Sequence, residues 1–590
     1  MAGCGRRTLA HSQIQVHAVK ALERISDGAA SIALACLALL ASGIGLWNQY
    51  AYDDRYIVAF NTRVHGLHGW WHLFAQSYWP VNAGGDGYRP FTMLAFAVEW
   101  VIGGGAPMVF HAVNIALYLA VTVLVFRLGL LILPRWAAWA AAALFAVHPV
   151  HVEAVANVVG QSELWVAVFV LPAVILYVRA RRRGGLATRE MIAVAALYAL
   201  ACFAKEHGIV LPALLLAAEL TLVPDTRPLR QRAREMRPFI LGLGAIAVAF
   251  LAAHTAVLSR NGITGFNEFV PFQALSLSTR DRVLTMFGVV PQWIRLFYWP
   301  AKLRSEYAPP DIDIAQGFSL IQVPGMLLLA GILGVAATLW RRRPVVSFGI
   351  AWIVITLLPS SNFLVPAGII LAERTLFLPS VGAMIILADG LVLLAPYART
   401  ASIRMAAAGA LALLLIAGAA RSVNRTPVWH DNQALFTQAV ADAPDSYRAH
   451  YMLGEWEFEN KRRDSGRREY HVAFKLFPYD PYLTLNMASE YANDGVCGVA
   501  VGLFKWTYGV GPAIRAGRTQ FARCLLEMAR FSEGRRAAMT ALRYIPSEYP
   551  TLHRIVVASD SALADSVRQP PVLQAGTGRK VPDSGQKTAR

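Results

Sequence analysis

"AASIALACLALLASGIGLWNQYAYDDRYIV", residues 29–58, holds 19 residues without a charge and then, six positions past that run, two adjacent acids, Asp53 and Asp54. At about 1.5 Å per residue, such a run crosses roughly 30 Å of hydrocarbon. It is long for a cleavable signal peptide and reads as an uncleaved signal anchor. The remainder of the 590 residues agrees: 56% are hydrophobic and 16% charged, and the mean hydropathy is +0.43. That composition marks an integral membrane protein. The net charge of +18, from 55 Lys and Arg against 37 Asp and Glu, comes from basic clusters in short loops. This is the positive-inside pattern rather than a nucleic-acid-binding surface.

The clusters are Arg6/Arg7/Lys20/Arg24, Arg127/Arg135, "RARRR" (179–183), "RPLRQRAREMR" (227–237), "RRR" (341–343) and Arg399/Arg404. Placing them all in the cytoplasm predicts eleven spans: 29–47, 109–131, 136–150, 162–178, 191–205, 208–223, 239–258, 323–340, 346–362, 376–396 and 403–421. The N-terminus is then cytoplasmic and the C-terminus external, and the apolar stretches at 91–103 and 284–300 are interfacial or re-entrant. Segments 48–108, 151–161, 259–322 and 363–375, with the turn at Lys205-Glu206, reach the external face, periplasmic or lumenal.

After Arg421 the chain turns soluble and periodic. Pro444, Pro478, Pro512 and Pro546 are each 34 residues apart, the tetratricopeptide repeat length. Small and aromatic residues fall where a helix-turn-helix repeat needs them: Leu453, Gly454, Tyr470 and Ala473 in one repeat, Ala488, Tyr491, Ala500 and Phe504 in the next. Such an α-solenoid is a binder of peptide or protein. The expected organisation is a cytosolic segment 1–28, a transmembrane domain 29–421, a repeat domain 422–565 and a disordered tail 566–590 rich in Pro, Gly, Gln and charge. Five scattered cysteines, Cys4, Cys36, Cys202, Cys497 and Cys524, without CxxC spacing, imply neither a disulfide framework nor a zinc site.

Charges next to apolar spans are costly and are functional candidates by default. Besides Asp53 and Asp54 they include Arg89 in Tyr88-Arg89-Pro90, His148, His151, Glu153 and Glu163 in "HPVHVEAVANVVGQSELW", Lys205-Glu206-His207, and Glu373-Arg374. Each has a structural alternative. The aspartates could open a solvated loop, the histidines could be hydrogen-bonded at the interface rather than metal ligands, and Lys205-Glu206 could be an ion pair. No Walker loop, Rossmann fingerprint or GxSxG elbow stands in a suitable setting, which disfavours nucleotide chemistry.

"YDDRYIVAFN", "GYRPFTMLAF", "FHAVNIALY", "LFAVHPVHVEAVANVVGQSELW", "CFAKEHGIVLP", "LFYWPAKLRSEYAPP" and "SNFLVPAGIILAERTLFLPSVG", in that order and followed by 34-residue repeats, resemble the transmembrane-and-tetratricopeptide-repeat O-mannosyltransferases. These belong to the GT-C membrane glycosyltransferases. The resemblance implies an all-α, eleven-span GT-C fold, a polyprenyl-phosphate-linked sugar as donor, mannose in the characterised eukaryotic members, and an active site on the external face. There an acidic pair after the first span supplies the catalytic carboxylate, which matches Asp53/Asp54. One departure stands out: Gln161 occupies a position where the family motif usually carries Arg.

Transfer from a phosphodiester donor needs a base for the acceptor hydroxyl and charge neutralisation for the departing phosphate. Asp54 or Asp53 is the expected base. Arg89, His151, Lys205 and Arg374 are the expected phosphate-side groups, with Glu153, Glu206 and Glu373 supporting them. The sequence leaves a divalent metal open. The expected partners are the lipid-linked sugar and an acceptor polypeptide held by the repeats, with no nucleic acid. The rival readings are a glycosyltransferase for a lipid or polysaccharide acceptor and a non-catalytic membrane scaffold.

Overall fold

The computed structural model describes residues 26–568 apart from 82–84, 262–271, 273–274, 276 and 513. Among these residues there are helices and turns and no strand, so the chain is an all-α polytopic membrane protein. A helix lies under every one of the eleven expected spans. Seven are long and apolar enough to cross a membrane, and an eighth span results if Arg135–Ala146 and Pro149–Ala156, bent by 49°, are taken together. The break falls at Pro149, which lacks an N–H and disfavours helical backbone at the residue before it. The expected spans 191–205, 208–223 and 346–362 are filled by the shorter helices Thr188–Ala204, Leu211–Thr221 and Pro344–Leu357.

The two stretches read as interfacial or re-entrant are Pro90–Gly103, a short apolar helix, and Thr279–Tyr298. The latter buries Val289, Val290, Trp293, Leu296 and Phe297 and carries Arg280, Asp281 and Arg295. It is absent from the seven long apolar helices.

Small residues set the packing. Helices Pro344–Leu357 and Phe377–Leu394 cross so closely that a Cβ on Gly382 would lie 2.5 Å from the carbonyl oxygen of Gly349, the kind of approach that small residues permit between membrane helices. The alanines of Arg135–Ala146 are nearly all buried.

Polar contacts join two of the basic loops, 127–135 and 179–183, at one end of the bundle. Asp27 pairs with Arg135 at 2.7 Å and Arg127 at 3.3 Å, and Arg182 donates to the Leu131 carbonyl. The loop that carries Asp53 lies at the far end of the same helices.

The chain divides into two compact units, Met1–Pro478 and Tyr479–Arg590. The 34-residue period survives as geometry: helices end at Asp442, Leu476, Val510 and Tyr544, each two residues before one of the four prolines. In the first unit Tyr447–Glu459 packs on Arg463–Leu476, where a Cβ on Gly454 would meet the Tyr470 ring at 2.4 Å. In the second, Ala488, Ala500, Phe504 and Leu525 share a core.

That core also corrects the cysteine reading, since Cys497 and Cys524 form a disulfide. The two residues sit on different helices, Cys497–Val510 and Arg518–Glu527. Helix packing brings them together, so linear spacing carries no sign of the pair. The expected disordered tail begins within the final helix Tyr549–Arg568; beyond Arg568 it lies outside the described residues, as does the N-terminal segment before Ser26.

Candidate active site

The first long helix ends at Trp47, and the loop after it separates the two aspartates. Asp54 is fully buried. Its carboxylate accepts the backbone N–H of Val159 at 2.9 Å, of Val158 at 3.2 Å and of Ala51 at 3.3 Å. Burial pushes its carboxyl up while those three amides favour the charged form. Asp54 is thereby committed to stitching the loop to the 158–160 turn.

Asp53, one residue earlier, is half-buried. It makes no hydrogen bond or ion pair among the described residues. Arg374 and Arg448 attract it, and Glu306 and Glu153 repel it. Burial raises its carboxyl to about 6, with Arg374 the chief opposing influence.

Three cations stand near this carboxylate or one another. Arg374 pairs with the buried Glu153, which also accepts the Arg374 backbone N–H at 2.9 Å. Lys205 pairs with Glu163, whose second oxygen lies 3.3 Å from Nε2 of His207. Arg89 donates to Glu206 at 2.9 Å and lies over the Tyr78 ring, 4.5 Å from its centroid. Lys205 is within electrostatic reach of both Arg89 and Arg374, which makes the three one cluster.

Glu206 is held down to about 2: burial would raise it, but Arg89 and the Tyr88 backbone N–H outweigh burial. Neighbours in sequence are therefore not partners, since Lys205 pairs with Glu163 and Glu206 with Arg89. Gly87 makes room for this arrangement. It has φ +70°, and a Cβ there would press on Tyr78 at 3.3 Å and on Glu206 at 3.4 Å.

Two expected residues stand elsewhere. His151 is buried, its nitrogens taken up by the Tyr118 hydroxyl at 3.1 Å and Ser380 Oγ at 2.8 Å, among the rings of Phe145 and Phe377. It shares no interaction with Arg89, Lys205 or Arg374. An isolated histidine between apolar residues gave no indication that a tyrosine and a serine from two other helices would claim both ring nitrogens. His148 is similarly taken up, by the Phe297 carbonyl at 3.0 Å and the Val150 N–H at 3.3 Å.

Glu373, expected to orient a cation, instead accepts from the Arg304 backbone N–H at 2.6 Å and the Tyr307 hydroxyl at 2.7 Å. It anchors the 299–319 loop. Gln161 is buried in a network with Glu99 at 3.1 Å, Asn114 at 3.0 Å and Trp165 at 3.0 Å, inside the bundle.

Sequence reasoning missed Glu306 and Arg448. Glu306 lies within the quoted "LFYWPAKLRSEYAPP", where it could have been noticed; Arg448 lies in the repeat region and carries no local signal. A cavity of about 600 Å³ is lined by Tyr56, Phe60, Arg63, Gln76 and Arg260 among others, and Asp53, Arg89, Lys205 and Arg374 are not part of that lining.

No family model matches the chain. Curated relatives do. Protein O-mannosyl-transferase TMTC3 of Mus musculus is 23% identical over 507 residues, covering 81% of this chain and 55% of the relative. Protein O-mannosyl-transferase TMTC4 of Homo sapiens is 27% identical over 474 residues, covering 72% and 62%. Protein O-mannosyl-transferase TMTC1 of Homo sapiens is 25% identical over 500 residues, covering 76% and 55%. The chain thus spans little more than half the length of these relatives. Among solved structures, an Archaeoglobus fulgidus oligosaccharyltransferase tethered with an acceptor peptide matches with a TM-score of 0.36 and 14% identity, over 67% of this chain and 55% of that one. A likeness that distant carries no argument here. The motifs and the relatives agree, and by sequence the chain is similar to the protein O-mannosyl-transferases.

Proposed function

We propose that the chain moves a sugar, mannose on the family resemblance, from a polyprenyl-phosphate donor to a Ser or Thr hydroxyl of a polypeptide at the external face of the membrane. The observation that carries this is Asp53: a half-buried carboxylate without a hydrogen-bond partner among the described residues, just beyond the first membrane helix and within electrostatic reach of Arg374. A donor with its tail in the bilayer holds its anomeric carbon near this level. Asp53 takes the proton of the acceptor hydroxyl as the oxygen attacks the anomeric carbon, and the bond to phosphate breaks with inversion. The phosphodiester leaves as an anion, and Arg374, Lys205 and Arg89 neutralise the charge that grows on it. Their paired glutamates fix the cations in place beforehand, so little reorganisation accompanies the reaction. Asp54 serves the geometry, not the proton.

Two facts support the external placement. The basic loops at 127–135 and 179–183 meet at the bundle end opposite Asp53, and the Cys497–Cys524 disulfide belongs in an oxidising compartment. The repeats, recurring as helix pairs, are the proposed holder of the acceptor chain.

The test incubates purified protein with polyprenyl-phosphate mannose and Ser/Thr-containing polypeptide, with and without EDTA, and reads donor loss and product by mass spectrometry. Sugar on peptide hydroxyls supports the reading. Transfer only to lipid or glycan acceptors favours the related enzyme class, and no transfer to any acceptor leaves the scaffold reading.

A further inference from the structure

The residue before the aspartate pair is Tyr52, and its backbone has φ +55°. Left-handed backbone is uncommon for a bulky non-glycine residue and persists only where the surroundings over-determine it. Here they come largely from the start of the repeat region. The Tyr52 backbone N–H donates to Asn432 Oδ1 at 2.6 Å. Its hydroxyl donates to Glu306 at 2.9 Å and accepts from Arg448 at 3.2 Å, and Arg448 also donates to Glu306 at 3.1 Å. Phe436 meets the Tyr52 ring edge-on at 6.0 Å.

The chain on either side is held from the same region. The Gln49 N–H donates to the His430 carbonyl at 2.7 Å, and Arg55 pairs with Glu459 at 2.7 Å. Ala51 lies in an apolar cluster with Trp429, Leu435, Phe436 and Met452. Asn432 and Arg448 belong to helices Asn432–Asp442 and Tyr447–Glu459, inside the compact unit that holds the membrane helices.

We propose that the start of the repeat region, helices Asn432–Asp442 and Tyr447–Glu459, is a working part of the transfer site, with Asn432 and Arg448 as positioning residues that hold the Tyr52 turn and with it Asp53. The inference rests on Asp53 being the base. A repeat segment built for binding would not need to grip four residues flanking that carboxylate. Once the turn at Tyr52 is fixed, the next two side chains diverge. Asp54 goes into the amides of Val158 and Val159, and Asp53 stays half-open toward the cations.

The triad also contributes to the field around Asp53, in which Arg374 is the largest single charge. The charged and titratable groups acting there are Arg374 and Arg448, Glu306, Glu153 and Asp54, and the phenols of Tyr52, Tyr56 and Tyr78. Removing Arg448 withdraws an attracting charge; removing the Glu306 charge withdraws a repelling one. Arg448→Ala and Glu306→Gln break the same hydrogen-bonded triad, yet they must move the acidic limb of the pH–rate profile in opposite directions, Arg448→Ala upward and Glu306→Gln downward.

The experiment measures transfer by the full-length wild type and by Arg448→Ala, Arg448→Lys, Glu306→Gln, Tyr52→Phe and Asn432→Ala, per mole of correctly inserted, monodisperse protein. The expected result is a fall in kcat approaching 10²-fold in Arg448→Ala and Asn432→Ala, as a displacement of about 1 Å at a reacting group produces. Donor KM stays within about twofold of wild type, Arg448→Lys rescues in part, and the two pH shifts oppose each other. Wild-type kcat and an unmoved acidic limb in all the folded variants, while Asp53→Asn is inactive, overturns the inference and leaves the catalytic reading intact. Full transfer by Asp53→Asn overturns the catalytic reading itself. Should Arg448→Ala fail to insert, Tyr52→Phe and Glu306→Gln, which keep size, carry the decision.

Discussion

One helix, Gln161–Arg182, begins and ends in buried charge, and its two ends behave differently. At the Arg181 end each buried charged side chain is paired. Arg181 grips Glu219 through two nitrogens at 2.7 and 3.0 Å and reaches Asp225 at 3.0 Å, while Arg232 at 3.0 Å and the Tyr177 hydroxyl at 2.9 Å complete Glu219. The Arg181 and Glu219 side chains are each 3% exposed. At the Glu163 end the glutamates are as deeply buried, but their cations are not: Lys205 is 13% exposed and Arg374 20%. Asp53 adds a carboxylate with no hydrogen-bonding partner among the described residues. Burial of charge inside a membrane bundle does not by itself mark a site. An uncommitted carboxylate within electrostatic reach of a partly exposed cation is what the proposed site has and the Arg181 end lacks.

The sharpest test of that contrast is Asp53→Asn, which keeps size but removes the proton-accepting charge. General-base catalysis contributes about 10²–10⁴-fold, and turnover should fall by that factor with insertion and donor binding retained. Asp54→Asn should act differently, lowering yield and thermal stability, since an amide cannot accept all three backbone N–H groups as a carboxylate does. Equal loss of kcat per folded molecule in both variants would erase the distinction.

Arg374→Gln comes next, expected to raise donor KM and lower kcat together, each by about tenfold, the size of one lost charge-assisted bond of roughly 1.5–3 kcal/mol. Because it strands Glu153, the double variant Arg374→Gln/Glu153→Gln should insert better while transferring no better. Recovery of transfer in the double variant would show that Arg374 acts only to neutralise Glu153.

The pH profile follows. A base with its carboxyl raised to about 6 works only when ionised, so the rate should be level above about pH 7 and fall tenfold per unit well below 6. A limb near pH 4, the ordinary carboxylate range, would mean that Asp53 is not the titrating group.

Smallest in activity is Arg181→Gln at the other end. It should leave transfer per folded molecule unchanged while destabilising the protein by about 3–5 kcal/mol, the usual cost of stranding one partner of a buried pair. A selective loss of kcat there would break the comparison.

What the sequence made legible follows from what is local. A run of apolar residues is its own signal, so all eleven expected spans coincide with helices, although Thr188–Ala204, Leu211–Thr221 and Pro344–Leu357 are short. Prolines that stop helices recur at helix ends for the same reason. The residues of the proposed site, Asp53, Arg89, Lys205 and Arg374, were also visible, because charge beside apolar sequence is rare. Partnership was not visible. Lys205 sits beside Glu206 in sequence yet pairs with Glu163, 42 residues away, and Cys497 finds Cys524 only through helix packing. His151 looked like a cation and is a core group. Arg448 lies in a repeat whose pattern reports helix packing alone, and only the folded chain brings it beside Tyr52.

The three amides that Asp54 accepts have a consequence for the encounter with substrate. A loop free to wander would have to be ordered at the moment a donor arrives, at about 1–2 kcal/mol of conformational entropy for each residue fixed. With Asp54 fastened to Val158, Val159 and Ala51, that ordering belongs to folding. On the proposed function, the attraction between a sugar phosphate and the cations then remains available to orient the anomeric carbon, and a lipid diffusing in two dimensions would meet a base already in position.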